Sequence, residues 1–152
     1  GLYGNFGQAS YAAAKGGLFS LTRITALEMS RSKVTANYVV PFAHTRVTDI
    51  IQPANDAQKQ YKDRALKLDP HHVATAVTWL CSDAGADVSG QIVGVRGREI
   101  FLFSQPRPVA RVVNEAADWT PETLAEAAAG DFADKYTELS TDLEAFNTEP
   151  YV

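Results

Sequence analysis

Two apolar, β-branched segments place the main constraint on the fold. VTANYVVP spans residues 34–41 and QIVGVRG spans residues 91–97, and both are typical of strands buried on two faces. A helix is predicted to begin at Asp69-Pro70, because aspartate caps helices and proline suits their first turn. Strand, helix and strand in this order predict a βαβ unit with parallel strands and a right-handed crossover. We expect Pro41 to end the first strand.

Three further segments have predictable local structure. Residues 8–30 predict a long helix, because leucine and isoleucine recur there at about the helical period. Residues 42–53 predict a polar loop, and residues 54–68 predict a polar amphipathic helix at the surface. The segment REIFLF, residues 98–103, either prolongs the second strand or runs along its edge.

Two strands of this buried type are too few for a stable parallel sheet, because both faces and an outer edge need cover. We therefore predict an α/β fold in which residues 1–108 form the C-terminal half of a doubly wound, Rossmann-like parallel sheet. The first half is expected to lie outside this sequence. Residues 109–152 predict an acidic, partly helical C-terminal extension, with one helix from Thr120-Pro121 and another over 131–146.

Charge is distributed unevenly along the chain. Residues 112–152 carry ten acidic side chains and only one basic one, whereas residues 1–111 carry thirteen basic and eight acidic side chains. The acidic tail is expected either to be solvated or to lie on a basic surface of its own oligomer. The basic residues of the body are scattered, which argues against a nucleic-acid surface. No apolar stretch approaches the ~18 residues of a membrane span, so no membrane association is predicted.

Cysteine and histidine usage predicts neither disulfides nor metal. Cys81 is the single cysteine, so an intramolecular disulfide is excluded, and the reducing cytoplasm is the expected location. We predict that Cys81 is a buried, inert thiol on the apolar face of its helix, together with Val73, Val77 and Leu80. Three histidines without carboxylates at ligand spacing do not predict a metal site.

The opening segment GLYGNFGQASYAAAK contains glycines at positions 1, 4 and 7, followed by Tyr11 and Lys15. The glycine spacing fits neither a dinucleotide fingerprint nor a P-loop, so a loop entering a helix is expected. Tyr11 and Lys15 are four residues apart and project from one helix face. An ammonium beside a phenol favours the phenolate, which can exchange a proton with a carbonyl or alcohol oxygen. Alone, the pair is also compatible with a surface contact.

Several spaced motifs resemble the short-chain dehydrogenase/reductase family. Its members carry Y-x-x-x-K on a long helix, then a strand ending N-x-x-x-P-G, then a threonine in the cofactor loop. This chain has Tyr11-Ala-Ala-Ala-Lys15, then Asn37-Tyr-Val-Val-Pro41, then Thr45. The resemblance implies a dehydrogenase fold and a nicotinamide cofactor.

The resemblance continues through SDAGADVSGQ, residues 82–91, and covers about residues 1–100. The opening segment and the loop PFAHTRVT are most similar to the (3R)-hydroxyacyl-CoA dehydrogenase unit of peroxisomal multifunctional enzymes type 2 and its bacterial relatives. In two places the chain departs from the family pattern. Phe42 stands where the family has glycine, and the ending V-D-G-G reads Val95-Arg96-Gly97-Arg98.

The resemblance implies specific roles for residues of this chain. Tyr11 would be the general acid/base, and Lys15 would assist it and bind the ribose hydroxyls of NAD, with NADP left open. The implied cofactor contacts are Tyr11, Lys15, Pro41, Ala43, His44 and Thr45. The implied substrate contacts are Gly4, Phe6, Val47, Ile50 and Ile51.

The implied function is NAD(P)-dependent interconversion of a secondary alcohol and a ketone. A 3-hydroxyacyl-CoA/3-oxoacyl-CoA pair is the expected substrate, in fatty acid or steroid metabolism, and the family suggests a homo-oligomer, tetramer or dimer. The family's substrate-polarising serine, glycine-rich loop and nucleotide-selecting acid would precede Gly1, so the chain alone is expected to be inactive. Two alternatives stay open: a structural or binding subunit completed by a partner chain, and a reductase of 3-oxoacyl carrier-protein thioesters or another ketone.

Overall fold

The computed structural model of the chain describes residues 1–50 and 52–152 and divides into two compact units. The first unit comprises Gly1–Gln105 and Ser140–Val152, and the second comprises Pro106–Leu139. In chain order the helices and strands are α1 (Ala9–Glu28), β1 (Tyr38–Phe42), α2 (Arg46–Ile50), α3 (Asp56–Ala65), α4 (His71–Leu80), β2 (Ile92–Arg96), β3 (Glu99–Leu102), α5 (Pro121–Asp131) and α6 (Asp142–Ala145). Single 3₁₀ turns follow α1, α4 and α5.

The three strands form one sheet in the order β1-β2-β3. β1 and β2 are parallel, with Tyr38 opposite Ile92, and α4 lies between them in the chain, as the βαβ pattern predicts. β3 is antiparallel to β2, so the sheet is mixed, and the predicted parallel pairing applies to β1 and β2. The reversal occurs at Gly97, whose φ of +57° permits a tight hairpin turn. REIFLF therefore runs along the edge of β2.

The two parallel strands differ in how deeply they are buried. All five residues of β2 are buried, whereas β1 is half-buried, so the prediction of a strand covered on both faces is correct only for β2. Pro41 lies inside β1 and does not end it. Proline lacks a backbone N–H, and β1 is an edge strand among the described residues, so no ladder hydrogen bond is lost on its open side.

The predicted helices form with small changes at their ends. α1 and α3 lie within the expected segments, and the Asp69 carboxylate accepts a hydrogen bond from the His71 N–H at 2.8 Å at the start of α4. The segment expected to be a loop, 42–53, contains the end of β1 and the short helix α2. Cys81 is exposed, which corrects the prediction of a buried thiol. The buried face of α4 contains Ala76 and Leu80, and a shift of one residue turns a side chain by about 100°.

Residues 140–152, the C-terminal segment, pack onto the first unit through an aromatic cluster and a buried arginine. Phe146 is only 8% exposed, and its ring contacts Phe42, Tyr3 and Phe101 at centroid distances of 4.6, 5.5 and 5.6 Å. The buried guanidinium of Arg96 donates hydrogen bonds to the backbone carbonyls of Phe146 and Thr148. The segment is thus attached to the end of the buried strand β2.

Two basic side chains of the first unit bind the same segment near its end, at Glu149. Glu149 accepts a hydrogen bond from Lys67 at 2.9 Å and from Arg64 at 3.0 Å. These two contacts lower the pKa of the Glu149 carboxyl, the Lys67 hydrogen bond having the largest effect. Glu149, an acidic residue of the C-terminal tail, therefore contacts basic residues of the same chain.

We predict that Glu149→Gln removes part of the acid dependence of folding stability. Because the folded-state pKa of Glu149 lies below its unfolded value, its contribution is present above about pH 4.3 and is lost as the pH falls through the folded-state value. The free energy of unfolding, measured between about pH 7 and pH 3, should therefore fall less steeply in this variant. Glu138→Gln, at an exposed glutamate of the second unit, is the matched control. Identical pH slopes for parent and Glu149→Gln would contradict the prediction.

The second unit is built around α5. The Thr120 hydroxyl oxygen accepts a hydrogen bond from the Thr123 N–H, and the Thr123 hydroxyl oxygen accepts one from the Thr120 N–H, which confirms the predicted helix start.

The prediction of a second helix over 131–146 is wrong in its extent. Only a turn at Ala133–Lys135 and α6 form, because Tyr136 is extended and Thr141 caps a new helix. The division at residue 108 stays a prediction. No helix of the described residues has the length and apolar character needed to cross a membrane.

Candidate active site

A cleft of about 370 Å³ lies beside β1 in the first unit. α1 contributes Tyr11 and Lys15 to its lining, and β1 contributes all five of its residues, Tyr38–Phe42. Gly4, from the loop before α1, lines the same cleft. Of the residues predicted from sequence, the structure thus brings together Gly4, Tyr11, Lys15 and Pro41.

Tyr11 and Lys15 face the same side of α1. The Lys15 Nζ lies 5.4 Å from the centroid of the Tyr11 ring, and the Tyr11 side chain is 57% exposed. The i, i+4 spacing explains this arrangement, because residues four apart stack on one helix face. The pair therefore presents a phenol with a nearby cation to the cleft, which is the chemistry of a proton donor and acceptor.

Tyr38 anchors this pair to the sheet. Its hydroxyl donates a hydrogen bond to the backbone carbonyl of Lys15 at 3.0 Å, and its ring meets Phe19 edge-on at 6.0 Å. Burial raises the pKa of the Tyr38 hydroxyl, and electrostatic repulsion between the Tyr38 and Tyr11 oxygens adds to this rise. Tyr38 therefore remains a neutral donor and fixes one turn of α1 against β1. Sequence reasoning missed this role, although Tyr38 lies within the motif Asn37-Tyr-Val-Val-Pro41.

Asn37 has a structural role in the same motif. Its side-chain oxygen accepts a hydrogen bond from the Gln91 N–H at 3.0 Å, and its amide donates to the Val88 carbonyl at 2.7 Å. These bonds tie the start of β1 to the loop that precedes β2. The asparagine therefore helps to set the register of β1 against β2, and the cleft lies beside β1.

A second, smaller pocket lies where β1 and β2 end. Its lining includes Pro41, Ala43, Arg64 and Arg96. Ligands of α/β sheets bind outside the carboxyl ends of parallel strands, and these residues occupy that position. Phe42, which departs from the family glycine, packs its ring on Phe146. Of the predicted cofactor contacts, Ala43 thus lines this pocket and Pro41 lines both.

His44 and Thr45 line neither pocket. The His44 N–H donates to the Leu68 carbonyl at 2.7 Å, and its ring Nε2 lies 2.7 Å from an Asp49 carboxylate oxygen. The Thr45 N–H donates to the Thr48 hydroxyl oxygen at 2.9 Å, at the start of α2. Both residues hold the loop after β1 in place, and their contacts with a cofactor stay predictions.

The predicted substrate residues are dispersed. Gly4 lines the cleft, whereas Phe6, Val47 and Ile50 are exposed and line neither pocket. Ile51 lies outside the described residues. Their role in substrate binding stays a prediction. Among the described residues, no group of three or more histidine, cysteine or acidic side chains is arranged to hold a metal ion.

Among the lining residues that were not predicted from sequence, three come from segments far from α1 and β1 in the chain. Tyr61 of α3, and Asp142 and Phe146 of the C-terminal segment, join Tyr11 and Lys15 there. Burial raises the pKa of Tyr61 to about 12, and the Asp142 carboxylate adds to this rise while Arg96 opposes it. No local pattern could place Asp142 here, because it lies more than one hundred residues after Tyr11 in the chain.

Comparison with known proteins shows which family and which proteins this chain resembles. Residues 2–97 match a family described as enoyl-(acyl carrier protein) reductase. The chain is 37% identical over 141 residues to the hydroxyacyl-CoA dehydrogenase ChsB1 of Mycobacterium tuberculosis, covering 92% of this chain and 44% of that protein. It is 36% identical over 125 residues to the peroxisomal multifunctional enzyme type 2 of Mus musculus, covering 82% of this chain and 16% of that protein.

The fold has a counterpart among solved structures. A short chain dehydrogenase from Mycobacterium avium superposes with a TM-score of 0.63 at 27% identity, covering 89% of this chain and 40% of that one. The chain therefore spans less than half the length of each of these proteins.

Proposed function

Because the chain belongs to the short-chain dehydrogenase/reductase family, we propose that it carries the C-terminal half of a doubly wound domain that interconverts a secondary alcohol and a ketone. One observation carries the proposal: Tyr11 and Lys15 line one cleft with the end of β1. Members of this family use NAD or NADP, and we propose NAD for this chain.

Proton transfer is the part of the reaction that this chain would perform. In the oxidation, the alcohol O–H would give its proton to the Tyr11 oxygen, and in the reduction the Tyr11 hydroxyl would return it. The Lys15 ammonium, 5.4 Å from the Tyr11 ring, would stabilise the phenolate oxygen between these steps. The nicotinamide, when bound, supplies or accepts the hydride.

The lining of the cleft and of the smaller pocket fits part of a nicotinamide nucleotide. Lys15 offers the cleft an ammonium that can donate to ribose hydroxyls, and Pro41, which lines both, and Ala43, which lines the smaller pocket, carry backbone groups that can hydrogen-bond a carboxamide. Pro41 and Ala43 lie where β1 ends, which is the position at which nucleotides bind in doubly wound sheets. The pyrophosphate of the nucleotide would be held by the other half of the doubly wound domain.

We propose a 3-hydroxyacyl-CoA as the substrate. The 37% identity to a hydroxyacyl-CoA dehydrogenase over most of this chain supports that class. A 3-oxoacyl group on an acyl carrier protein is the second candidate. The family description names the acyl carrier protein, and a 3-oxoacyl-[acyl-carrier-protein] reductase is 34% identical to this chain over 98 residues. Both substrates present an oxygen on C3 of an acyl thioester to Tyr11, as a hydroxyl in the oxidation and as a carbonyl in the reduction, and they also differ in the carrier of the thioester arm.

A substrate comparison on the full-length polypeptide tests the proposal. We expect NAD-dependent oxidation of a (3R)-3-hydroxyacyl-CoA, and a kcat/KM for it well above that for a simple secondary alcohol such as 2-octanol. The reverse reaction, run with one 3-oxoacyl group on CoA and on a carrier protein, separates the two candidates. Absence of nucleotide-dependent turnover of all these substrates would contradict the proposal and favour a non-catalytic subunit.

We also propose that the enzyme is a homo-oligomer in the cytoplasm. Leu18, Leu21, Ile24 and Leu27 of α1 are exposed at about half or more of their surface, which supports an interface along this helix. The cytoplasmic location fits the single exposed thiol of Cys81. The proposal includes a small-molecule substrate as partner and neither nucleic acid nor a membrane.

A further inference from the structure

Tyr61 of α3 lies at the boundary between the cleft and the smaller pocket. It lines both spaces, together with Pro41, Phe42 and Phe146. Proline and phenylalanine side chains carry no hydrogen-bonding group, so Tyr61 contributes the side-chain hydroxyl of this shared wall. A phenol O–H thus belongs to the lining of the cleft that contains Tyr11, although the proton transfer assigned to Tyr11 does not use it.

The Tyr61 hydroxyl is accessible and has no partner within the described chain. Tyr61 is half-buried, and no described residue forms a hydrogen bond with its hydroxyl. Among the described buried and half-buried residues, the single side-chain nitrogen or oxygen that lacks both accessible surface and a hydrogen bond is Oδ1 of Asp142. The Tyr61 hydroxyl, which also lacks a hydrogen bond, therefore keeps accessible surface. A ligand can reach it and supply the missing acceptor.

Charged groups from both linings act on this hydroxyl. Burial, as the largest cause, raises the pKa of Tyr61 to about 12. The Asp142 carboxylate, in the lining of the cleft, adds to the rise, and the Arg96 guanidinium, in the lining of the smaller pocket, opposes it. Such effects need proximity, so the hydroxyl lies between these groups rather than on the outer face of α3. It stays protonated near neutral pH and can donate a hydrogen bond.

Hydrogen bonds on both sides of Tyr61 hold α3 in this position. The Lys62 Nζ donates to the backbone carbonyl of Asp49 at 2.9 Å. The Arg64 Nε donates to the Glu149 carboxylate at 3.0 Å. Tyr61 is therefore placed by contacts of the folded chain, before a ligand arrives. A hydroxyl positioned in this way loses less conformational freedom when it binds an acceptor.

We propose that the Tyr61 hydroxyl is a specificity-determining group that donates a hydrogen bond to the thioester carbonyl of the substrate. This inference rests on the proposed function, in which the oxygen on C3 of an acyl thioester meets Tyr11. The thioester carbonyl is C1 of the same acyl group, two carbons from C3, so one substrate can present both oxygens to one cleft. The Asp142 carboxylate repels an anionic acceptor such as a phosphate, which favours a neutral carbonyl as the partner of Tyr61.

Stability separates recognition from a structural role. Tyr61→Phe keeps the ring and removes a hydroxyl that no described residue binds, so its Tm should equal or exceed that of the parent. Tyr136→Phe, at an exposed tyrosine of the second unit, is the matched control. A clear fall in Tm for Tyr61→Phe alone would show that the folded protein itself binds this hydroxyl, and would overturn the inference.

Two matched ketones test recognition in the full-length enzyme with reduced nucleotide. The first is the N-acetylcysteamine thioester of 3-oxobutanoate, and the second is the thioether in which a methylene group replaces the thioester carbonyl. Their intrinsic reactivities differ, so the informative quantity is the ratio of their kcat/KM values, compared between parent and variant. We expect Tyr61→Phe to lower this thioester-to-thioether ratio by about 3- to 10-fold, the range of a neutral hydrogen bond. Tyr136→Phe should leave the ratio unchanged.

The outcomes distinguish the role of Tyr61 from the proposed function. Turnover of both ketones by Tyr61→Phe with the ratio of the parent would overturn the role of Tyr61 and leave Tyr11 as the proton donor. A rise in KM for the nucleotide with an unchanged ratio would assign the hydroxyl to the nucleotide, and would overturn it as well. No turnover of either ketone by the parent would overturn the proposed function, and the role of Tyr61 with it.

Discussion

Replacing Arg96 with methionine should lower the free energy of unfolding by about 3 kcal/mol or more. The Arg96 side chain is buried and donates to Glu99 at 3.1 Å, as well as to the carbonyls of Phe146 and Thr148. Methionine fills a similar volume but leaves these acceptors without a donor. Denaturant unfolding of the full-length polypeptide measures the loss directly.

The same substitution should release the C-terminal segment. Without the guanidinium, residues 140–152 keep the Phe146 ring contacts, the Glu149 ion pairs and the hydrogen bond from the Arg98 N–H to the Tyr151 carbonyl, but lose every hydrogen bond to the Arg96 side chain. Limited proteolysis should therefore cleave there faster than in the parent. Arg98→Met is the matched control, because Arg98 is exposed and two residues away. Its effect should stay within about 0.5 kcal/mol. Equal losses for the two variants would show that burial of Arg96 has no special role.

The local elements of this fold could be read from the sequence, because short-range rules govern them. The Thr120 cap marks the start of α5, and Asp69-Pro70 precedes α4 with the Asp69 carboxylate bound to the His71 N–H, although the helix begins one residue later than predicted. The buried composition of QIVGVRG identifies β2. The sequence alone does not decide between a longer β2 and a hairpin after it, although Gly97 provides the turn of that hairpin. Glycine with positive φ is compatible with several turn geometries, and only the pairing of β3 with β2 selects one.

Long-range contacts account for what the sequence could not predict. Arg96 reads as a departure from a family motif, and its reason appears only when residues 140–152 fold back onto the end of β2. Phe42 is a similar case, since its partner Phe146 lies about one hundred residues away. Neither periodicity nor capping carries information about which distant segments meet. The candidate site was therefore predictable at Tyr11 and Lys15 but not at Asp142.

Replacing Tyr11 with phenylalanine should lower the rate of hydride transfer by 10²- to about 10⁴-fold, the range that general acid–base catalysis contributes. The variant keeps the ring that lies 5.4 Å from Lys15 and removes only the oxygen that would exchange the proton. Tyr38 continues to hold the backbone of Lys15, so the arrangement of α1 against β1 should persist. Nucleotide affinity should therefore stay within about twofold, because Lys15 remains in place.

Tyr3→Phe is the matched control for this variant. Tyr3 lines the same cleft and contacts Phe103 and Phe146 through its ring, which phenylalanine preserves. We expect its rate to stay within about threefold of the parent, since no proton transfer is assigned to its hydroxyl. A comparable loss in both variants would indicate a general disturbance of the cleft rather than a specific role for Tyr11.

The most direct measurement is a single turnover with enzyme in excess, in which the full-length protein and reduced nucleotide are mixed with a 3-oxoacyl thioester. Loss of the nicotinamide absorbance then reports the hydride step itself, separate from product release. The Tyr11→Phe variant should bind the reduced nucleotide like the parent and transfer hydride at least about 100-fold more slowly. Hydride transfer within about tenfold of the parent rate would contradict the assignment of Tyr11 as the proton donor.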